Sequence, residues 1–342
     1  VLAAMKASLD AKETSYTGNS GMMELREAIS HHFEQRYGVH YDPKDEILVT
    51  VGVSEGLAMA LLAITEPGDE VIIPDPAYVA YPASVELAGG TPVFVPTYPE
   101  HDFKLTVEAL EKVITPKTKA IVIGYPNNPT GTVMSAEELM PIAKFAEEHD
   151  LIVLSDEIYC ELMYGDAKFT SFAKLPGMRE RTVIFNGFSK AYAMTGMRLG
   201  YVCAPREGLA PILKLHQYAI MCANTTAQVG GITALKECDD DVEAMRQEYD
   251  RRRKVIYKGL CDMGLPVFEP KGAFYIFPDI RSTGLTDNEF AEGLLAAERI
   301  AVVPGSAFGE QGKGHVRISY ASSMENLAEA MKRIARFIAS KK

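Results

Sequence analysis

The chain has 342 residues, 47% of them hydrophobic and 24% charged, so it can bury more than one core and is too apolar to be disordered by default. Its 35 Lys and Arg face 46 Asp and Glu, and the net charge of -11 argues against generic binding to nucleic-acid phosphates. No apolar run reaches the roughly 20 residues of a membrane-spanning helix, and the five cysteines (Cys160, Cys203, Cys222, Cys238 and Cys261) include no C-x-x-C pair, which suggests free thiols in a reducing, cytoplasmic setting without a metal site.

From Val1 the chain opens within an amphipathic helical pattern, and a further N-terminal segment is expected to precede it. Short apolar runs at 47–50, 70–73, 120–123, 151–154, 182–185 and 199–203 have the length and β-branching of buried strands. Helical patterns lie between them. One covers 54–64 and stops at Pro67-Gly68; another covers 135–148 and opens on Ser135 and Glu138, a capping-box spacing. A long charged pattern over 240–263 ends at Gly264 and reads as a strut. This alternation predicts an α/β fold with a largely parallel sheet in residues 1–250, followed by a smaller domain in 251–342.

In open parallel sheets ligands sit beyond the carboxyl ends of the strands. After 151–154 comes Ser155-Asp156-Glu157-Ile158-Tyr159, although a lone Asp there is more often a solvated or capping acid. After 182–185 comes the stretch Asn186 to Gly200. It holds Lys190, Arg198 and small residues at 187, 189, 191, 193, 195 and 196. Small residues permit close backbone approach to a ligand. A neighbouring cation and desolvation lower the pKa of a lysine nucleophile, whereas a lone Lys is usually a surface cation. The stretch from Tyr125 through Asn128 to Gly131 reads, taken alone, as a turn. Gly52 and the N–H groups of the following helix start suit a phosphate, with Glu55 opposing it unless its side chain points away.

Taken together, these segments resemble a known family. The run from Ser189-Lys190 to Arg198 and Gly200 is similar to the lysine signature of class I pyridoxal-phosphate-dependent aminotransferases of fold type I. Pro126 to Gly131, Asp156 to Tyr159, and His315-Val-Arg317-Ile-Ser-Tyr320 fall where that family has its other hallmarks. The likeness runs from about Tyr16 to the C-terminal helix. It implies a large domain with a mostly parallel seven-stranded sheet flanked by helices, plus a smaller α+β domain.

The resemblance also implies roles. Lys190 would carry pyridoxal 5'-phosphate as a Schiff base and shuttle a proton. Asp156 would pair with the pyridine nitrogen. Asn128 and Tyr159 would bond the ring's phenolic oxygen, and Tyr78 would stack on the ring, its bland alternative being core packing. Arg198, Val53, Ser54, Ser189 and Tyr16 would hold the phosphate. In the family the Tyr16 equivalent comes from the partner subunit, which implies a homodimer with shared active sites. Arg317 would clamp the substrate α-carboxylate with its planar fork, with Asn128 and Phe274 also facing the substrate.

The activity so implied is transfer of an amino group between an L-amino acid and a 2-oxo acid, with 2-oxoglutarate expected and no nucleic-acid or membrane partner. The alternatives are a carbon–sulfur β-lyase and the ligand-sensing domain of a transcription regulator. Two departures stand out: Gly187 sits where many members have Ser or Thr, and the family's glycine-bearing segment near the N-terminus is not found. The stretches 213–223 and 272–277 look most like aspartate, aromatic or N-acetyl-diaminopimelate aminotransferases. No arginine stands out for a side-chain carboxylate. Phe274 and Tyr275, with Tyr16 at the rim, are the candidates for side-chain contacts.

Overall fold

The computed structural model describes residues 1–341. A seven-stranded sheet holds β1 (Ile47–Thr50), β2 (Glu70–Asp75), β3 (Thr91–Pro96), β4 (Thr118–Ile123), β5 (Ile152–Asp156), β6 (Thr182–Gly187) and β7 (Gly200–Cys203), in the spatial order β1-β7-β6-β5-β4-β2-β3. The pairs among β2 to β6 are parallel, and β7 alone runs against its neighbours β1 and β6. The six apolar runs of the sequence are all strands. The seventh strand, β3, is an edge strand that carries Pro92 and Pro96 and is half exposed, so it lacks the continuous apolar signature of a buried strand.

Successive residues of each strand face opposite sides of the sheet. Ala120 and Val122 join Leu57, Tyr81 and Leu209 in one core, while Ile121 and Ile123 join Leu139, Ile142 and Phe145 in another. Helices Val53–Ile64, Ala80–Leu87 and Arg206–Ala219 therefore cover one face, and Ala136–Glu148 lies on the other. Toward β1 that second face is covered by Met23–Tyr37 and Thr225–Glu237. The capping box at Ser135 and Glu138 is formed as the spacing predicts.

A second sheet orders β8 (Tyr275–Ile276), β9 (Val303–Pro304) and β10 (Val316–Ser319) as β8-β10-β9, all antiparallel. It packs with helices Asp287–Glu298 and Met324–Ala339 around Phe290, Ile318 and Ile334. Tyr159, Leu162 and Tyr164, which follow β5, belong to the same core. Helix Asp239–Asp262 runs without a break through position 250. The two sheets are also stapled at the end of β2: the Asp75 carboxylate accepts the N–H groups of Glu310 (3.1 Å) and Gln311 (3.3 Å), and the Ala77 N–H donates to the Phe308 carbonyl (3.0 Å).

Three glycines let backbones touch beneath the future site. Gly187 pairs with Gly200 across β6 and β7. A Cβ on Gly187 would lie 2.7 Å from the Gly200 Cα, and one on Gly200 would lie 2.7 Å from the Gly52 carbonyl carbon. Position 187 thus meets main chain rather than open space. We expect Gly200→Ala to destabilise the protein by roughly 1–3 kcal/mol through overpacking. Gly196→Ala, whose Cβ would meet nothing within 4 Å, serves as the control. Denaturant unfolding of both variants checks this, and equal midpoints would show that the close approach is not what Gly200 serves.

Candidate active site

The strand directions bring distant segments to one end of the large sheet. Asp156 closes β5, Ser189 and Lys190 follow β6, Asn128 follows β4, and Val53 and Ser54 follow β1. Because β7 is antiparallel, its beginning lies at that same end, so Arg198 arrives there from before the strand rather than after it. Arg317, on β10 of the second sheet, faces the group. These side chains, with Tyr78 and Tyr159, line one cavity of about 320 Å³.

Two expected residues stand apart from the wall. Phe274 sits at its margin, with its ring centroid 5.6 Å from the Lys190 Nζ. Tyr16 is 79% exposed and does not line the cavity within its own chain. The structure adds Tyr81, Pro126 and Ile158, which sequence reasoning missed. Tyr81 had one available signal: it follows Tyr78 by three residues, and such spacing puts side chains on one side of a helical turn. The two rings meet edge to face at 5.6 Å.

Asp156 is buried, and its carboxylate accepts the Tyr81 hydroxyl (2.9 Å) and the Ile158 N–H (3.2 Å). Burial pushes its pKa up to about 6, against the pull of those two hydrogen bonds and of the Lys190 charge. Lys190 moves the other way. Burial lowers its pKa from the ordinary value; Asp156 resists, and Arg198 and Arg317 add to the lowering. Burial therefore raises the acid and lowers the base, the kind of perturbation that functional clefts often show. Tyr159 and Tyr275 join their hydroxyls at 3.0 Å, and burial raises the Tyr159 phenol well above its usual value.

At the other end of the cavity, Gly52 caps helix Val53–Ile64 with φ +77°, and a Cβ there would lie 2.8 Å from the Arg198 guanidinium. Glu55 does point away. It accepts the Val51 N–H (3.0 Å) and pairs with the buried His216 Nδ1 (3.0 Å). The helix start therefore presents N–H groups beside a guanidinium with the nearby acid turned aside, which is an anion-binding arrangement.

The Arg317 Nη1 donates to the Asn128 Oδ1 (2.8 Å), and the guanidinium lies over Tyr275 (4.5 Å) and Phe308 (4.8 Å). Its Nε is buried without a partner. A buried donor left unpaired marks a place built for an acceptor from elsewhere.

Residues 1–334 match the family described as aminotransferase class I and II. The chain is 52% identical over 331 residues to a protein of Bacillus subtilis (strain 168) described as a putative aminotransferase, YugH, which covers 97% of this chain and 86% of that one. It is 50% identical over 339 residues to an aspartate aminotransferase of Pyrococcus abyssi (strain GE5 / Orsay), covering 98% and 87%. The crystal structure of an aromatic aminotransferase from Pyrococcus horikoshii OT3 superposes with a TM-score of 0.97 at 50% identity, covering 98% of this chain and 91% of that one. The lysine signature, the two-sheet architecture and these similarities agree: the chain belongs to the class I and II aminotransferases and is an enzyme of that family.

Proposed function

We propose that the chain moves an amino group between an L-amino acid and a 2-oxo acid, with 2-oxoglutarate as acceptor, using pyridoxal 5'-phosphate held at Lys190. The observation that carries this reading is the meeting of Lys190, Asp156, Arg198 and Arg317 around one cavity. The group fits the residues present: an anion-binding helix start with Arg198 suits its phosphate, and the Asp156 carboxylate suits its pyridine nitrogen. When bound, the cofactor supplies a carbonyl carbon for the amino group and an electron-accepting ring.

The residues divide the work. The lowered pKa keeps the Lys190 amine available to take the proton from the substrate Cα and return it. Asp156 sets a negative charge opposite the ring nitrogen. Arg198, Ser189, Ser54 and the Val53 N–H hold the phosphate, and Tyr78 covers the ring. Asn128 and Tyr159 bond the ring oxygen. Arg317 grips the substrate α-carboxylate, with Phe274 beside the substrate. Residues 1–250 form the cofactor-binding part and 251–342 the part carrying Arg317. A homodimer belongs to this reading, with Tyr16 completing the phosphate site of the partner. Its 79% exposure supports that. The five free cysteines support a cytoplasmic setting, and among the described residues no helix is long and apolar enough to cross a membrane.

The test is spectroscopic. Amino acids are added one at a time to the protein loaded with pyridoxal phosphate. The bound cofactor's absorption band should fall with a competent donor and return on adding 2-oxoglutarate. No response to any donor overturns the reading, and release of pyruvate and ammonia from cysteine conjugates would show a lyase instead.

Arg317→Lys is expected to raise the KM for the amino acid by about 10- to 100-fold, because hydrogen bonds to charged groups contribute about 1.5–3 kcal/mol and Lys cannot copy the fork. Initial rates check this, and an unchanged KM would remove Arg317 from the carboxylate.

A further inference from the structure

Segment 305–312 of the second sheet's core is gripped at both ends. At its start the Gly305 N–H donates to the His315 carbonyl (2.8 Å), and the Ser306 N–H donates to the buried Asp287 carboxylate (2.7 Å). At its far end the grip comes from the large sheet. The buried Asp75 carboxylate, at the end of β2, accepts the N–H groups of Glu310 (3.1 Å) and Gln311 (3.3 Å). Gly309 packs so closely on that carboxylate that a Cβ there would clash with it.

Phe308 lies between the two grips. Its carbonyl accepts the Ala77 N–H (3.0 Å), and its buried ring lies 4.8 Å from the Arg317 guanidinium. Three neighbours therefore bear on the plane of that guanidinium: the Asn128 Oδ1 at 2.8 Å, the Tyr275 ring at 4.5 Å and the Phe308 ring. Asn128 and Tyr275 belong to the cavity wall, whereas Phe308 does not line it and reaches Arg317 only from segment 305–312. The main chain at Asp75 is fixed by other means, because Thr97 donates to its carbonyl through both its N–H and its hydroxyl, each at 2.8 Å. Removing the carboxylate thus leaves β2 anchored and releases the segment that carries Phe308.

We propose that Asp75 is a positioning residue for the carboxylate-binding fork: by holding segment 305–312 against β2 it sets the Phe308 ring on Arg317 and so fixes the plane of the guanidinium. The inference rests on the transamination reading, in which Arg317 grips the substrate α-carboxylate. Bidentate bonding between a fork and a carboxylate is planar, so its strength depends on that orientation. A shift of about 1 Å caused far from the chemistry can cost on the order of 10²-fold.

The experiment uses the cofactor-loaded protein with L-phenylalanine and L-aspartate as donors in the half-reaction. Asp75→Ala should raise the donor KM by about tenfold, with pyridoxal phosphate affinity kept within about threefold of the parent. Asp75→Asn, which keeps an acceptor oxygen, should restore most of the loss. In an Arg317→Lys or a Phe308→Leu background, Asp75→Ala should change KM by less than about threefold, because residues that act through one contact are not additive. Hydrogen exchange of the 305–312 amides, read without turnover, should quicken in Asp75→Ala. Effects that multiply in full in the Arg317→Lys background overturn the inference, since the carboxylate would then have a structural role alone. So does unchanged exchange in 305–312, or an unchanged KM in a protein that transaminates. If neither donor reacts with the parent protein, the transamination reading fails and the inference falls with it.

Discussion

Lys190→Ala should end covalent attachment of pyridoxal phosphate and slow transamination by at least about 10²- to 10⁴-fold, the usual contribution of a positioned acid–base group. The effect is large because, among the described residues, the cavity lining holds no second amine. Arg198 and Arg317, the other cations of the lining, are guanidiniums, which do not give up protons at working pH. The lysine is also prepared for proton transfer, because burial and the two arginines favour its neutral form. Borohydride reduction followed by mass spectrometry provides the check. The parent chain should gain the cofactor mass on the peptide containing Lys190, and the variant should gain none. A variant that still carries the mass, or that keeps its single-turnover rate within about threefold of the parent, would assign the amine's role to another residue.

Asp156→Asn is expected to cost about 10²- to 10³-fold in kcat, comparable with losing one preorganised electrostatic stabiliser. Asparagine keeps the shape and can still accept from Tyr81, so the charge is what disappears. The pH dependence follows from the raised pKa. With the carboxyl titrating at about 6 in the unliganded protein, lowering the pH through that value neutralises it, and the attraction for a protonated pyridine nitrogen is lost. Cofactor affinity should therefore fall below about pH 6 in the parent and stay level there in Asp156→Asn. Fluorescence titration with pyridoxal phosphate at several pH values measures both.

Stability without cofactor supplies the control. A folded pKa above the ordinary 3.8 means that the carboxyl favours the fold at low pH, and that this contribution is lost as pH rises through about 6. At neutral pH the buried charge opposes folding, so Asp156→Asn should melt no lower than the parent. A lower melting temperature would trace its lost activity to misfolding.

Much of the sheet was legible because strands buried on both faces read as unbroken apolar runs, and six of the seven strands have that form. Strand β3 does not, since it is half exposed at the sheet edge and tolerates proline. The direction of β7 was not legible either. Nothing local distinguishes an antiparallel from a parallel run of four residues, yet that reversal brings Arg198 to the cavity. Tyr81 was hidden for a similar reason. Its hydroxyl acts on Asp156, 75 positions away, and within its own helix it reads as an ordinary core aromatic.

The sequence by itself determined the chemistry available and its order along the chain: a lysine among small residues, an acid at a strand end, an arginine in β10 and a glycine before a helix start. Periodicity and residue type are local properties, so they survive in one dimension. Only the tertiary structure decided which neighbouring carboxylate serves the cavity. Asp156 turns into it, whereas Glu157 is buried on hydroxyls of Ser155 and Ser171 and the N–H of Phe172. Only it decided that Glu55 leaves the anion site for His216, that Phe274 comes near Lys190, and that Tyr275 lies under Arg317. Those outcomes depend on desolvation and on contacts between segments far apart in the chain, and both exist only once the two sheets have packed together.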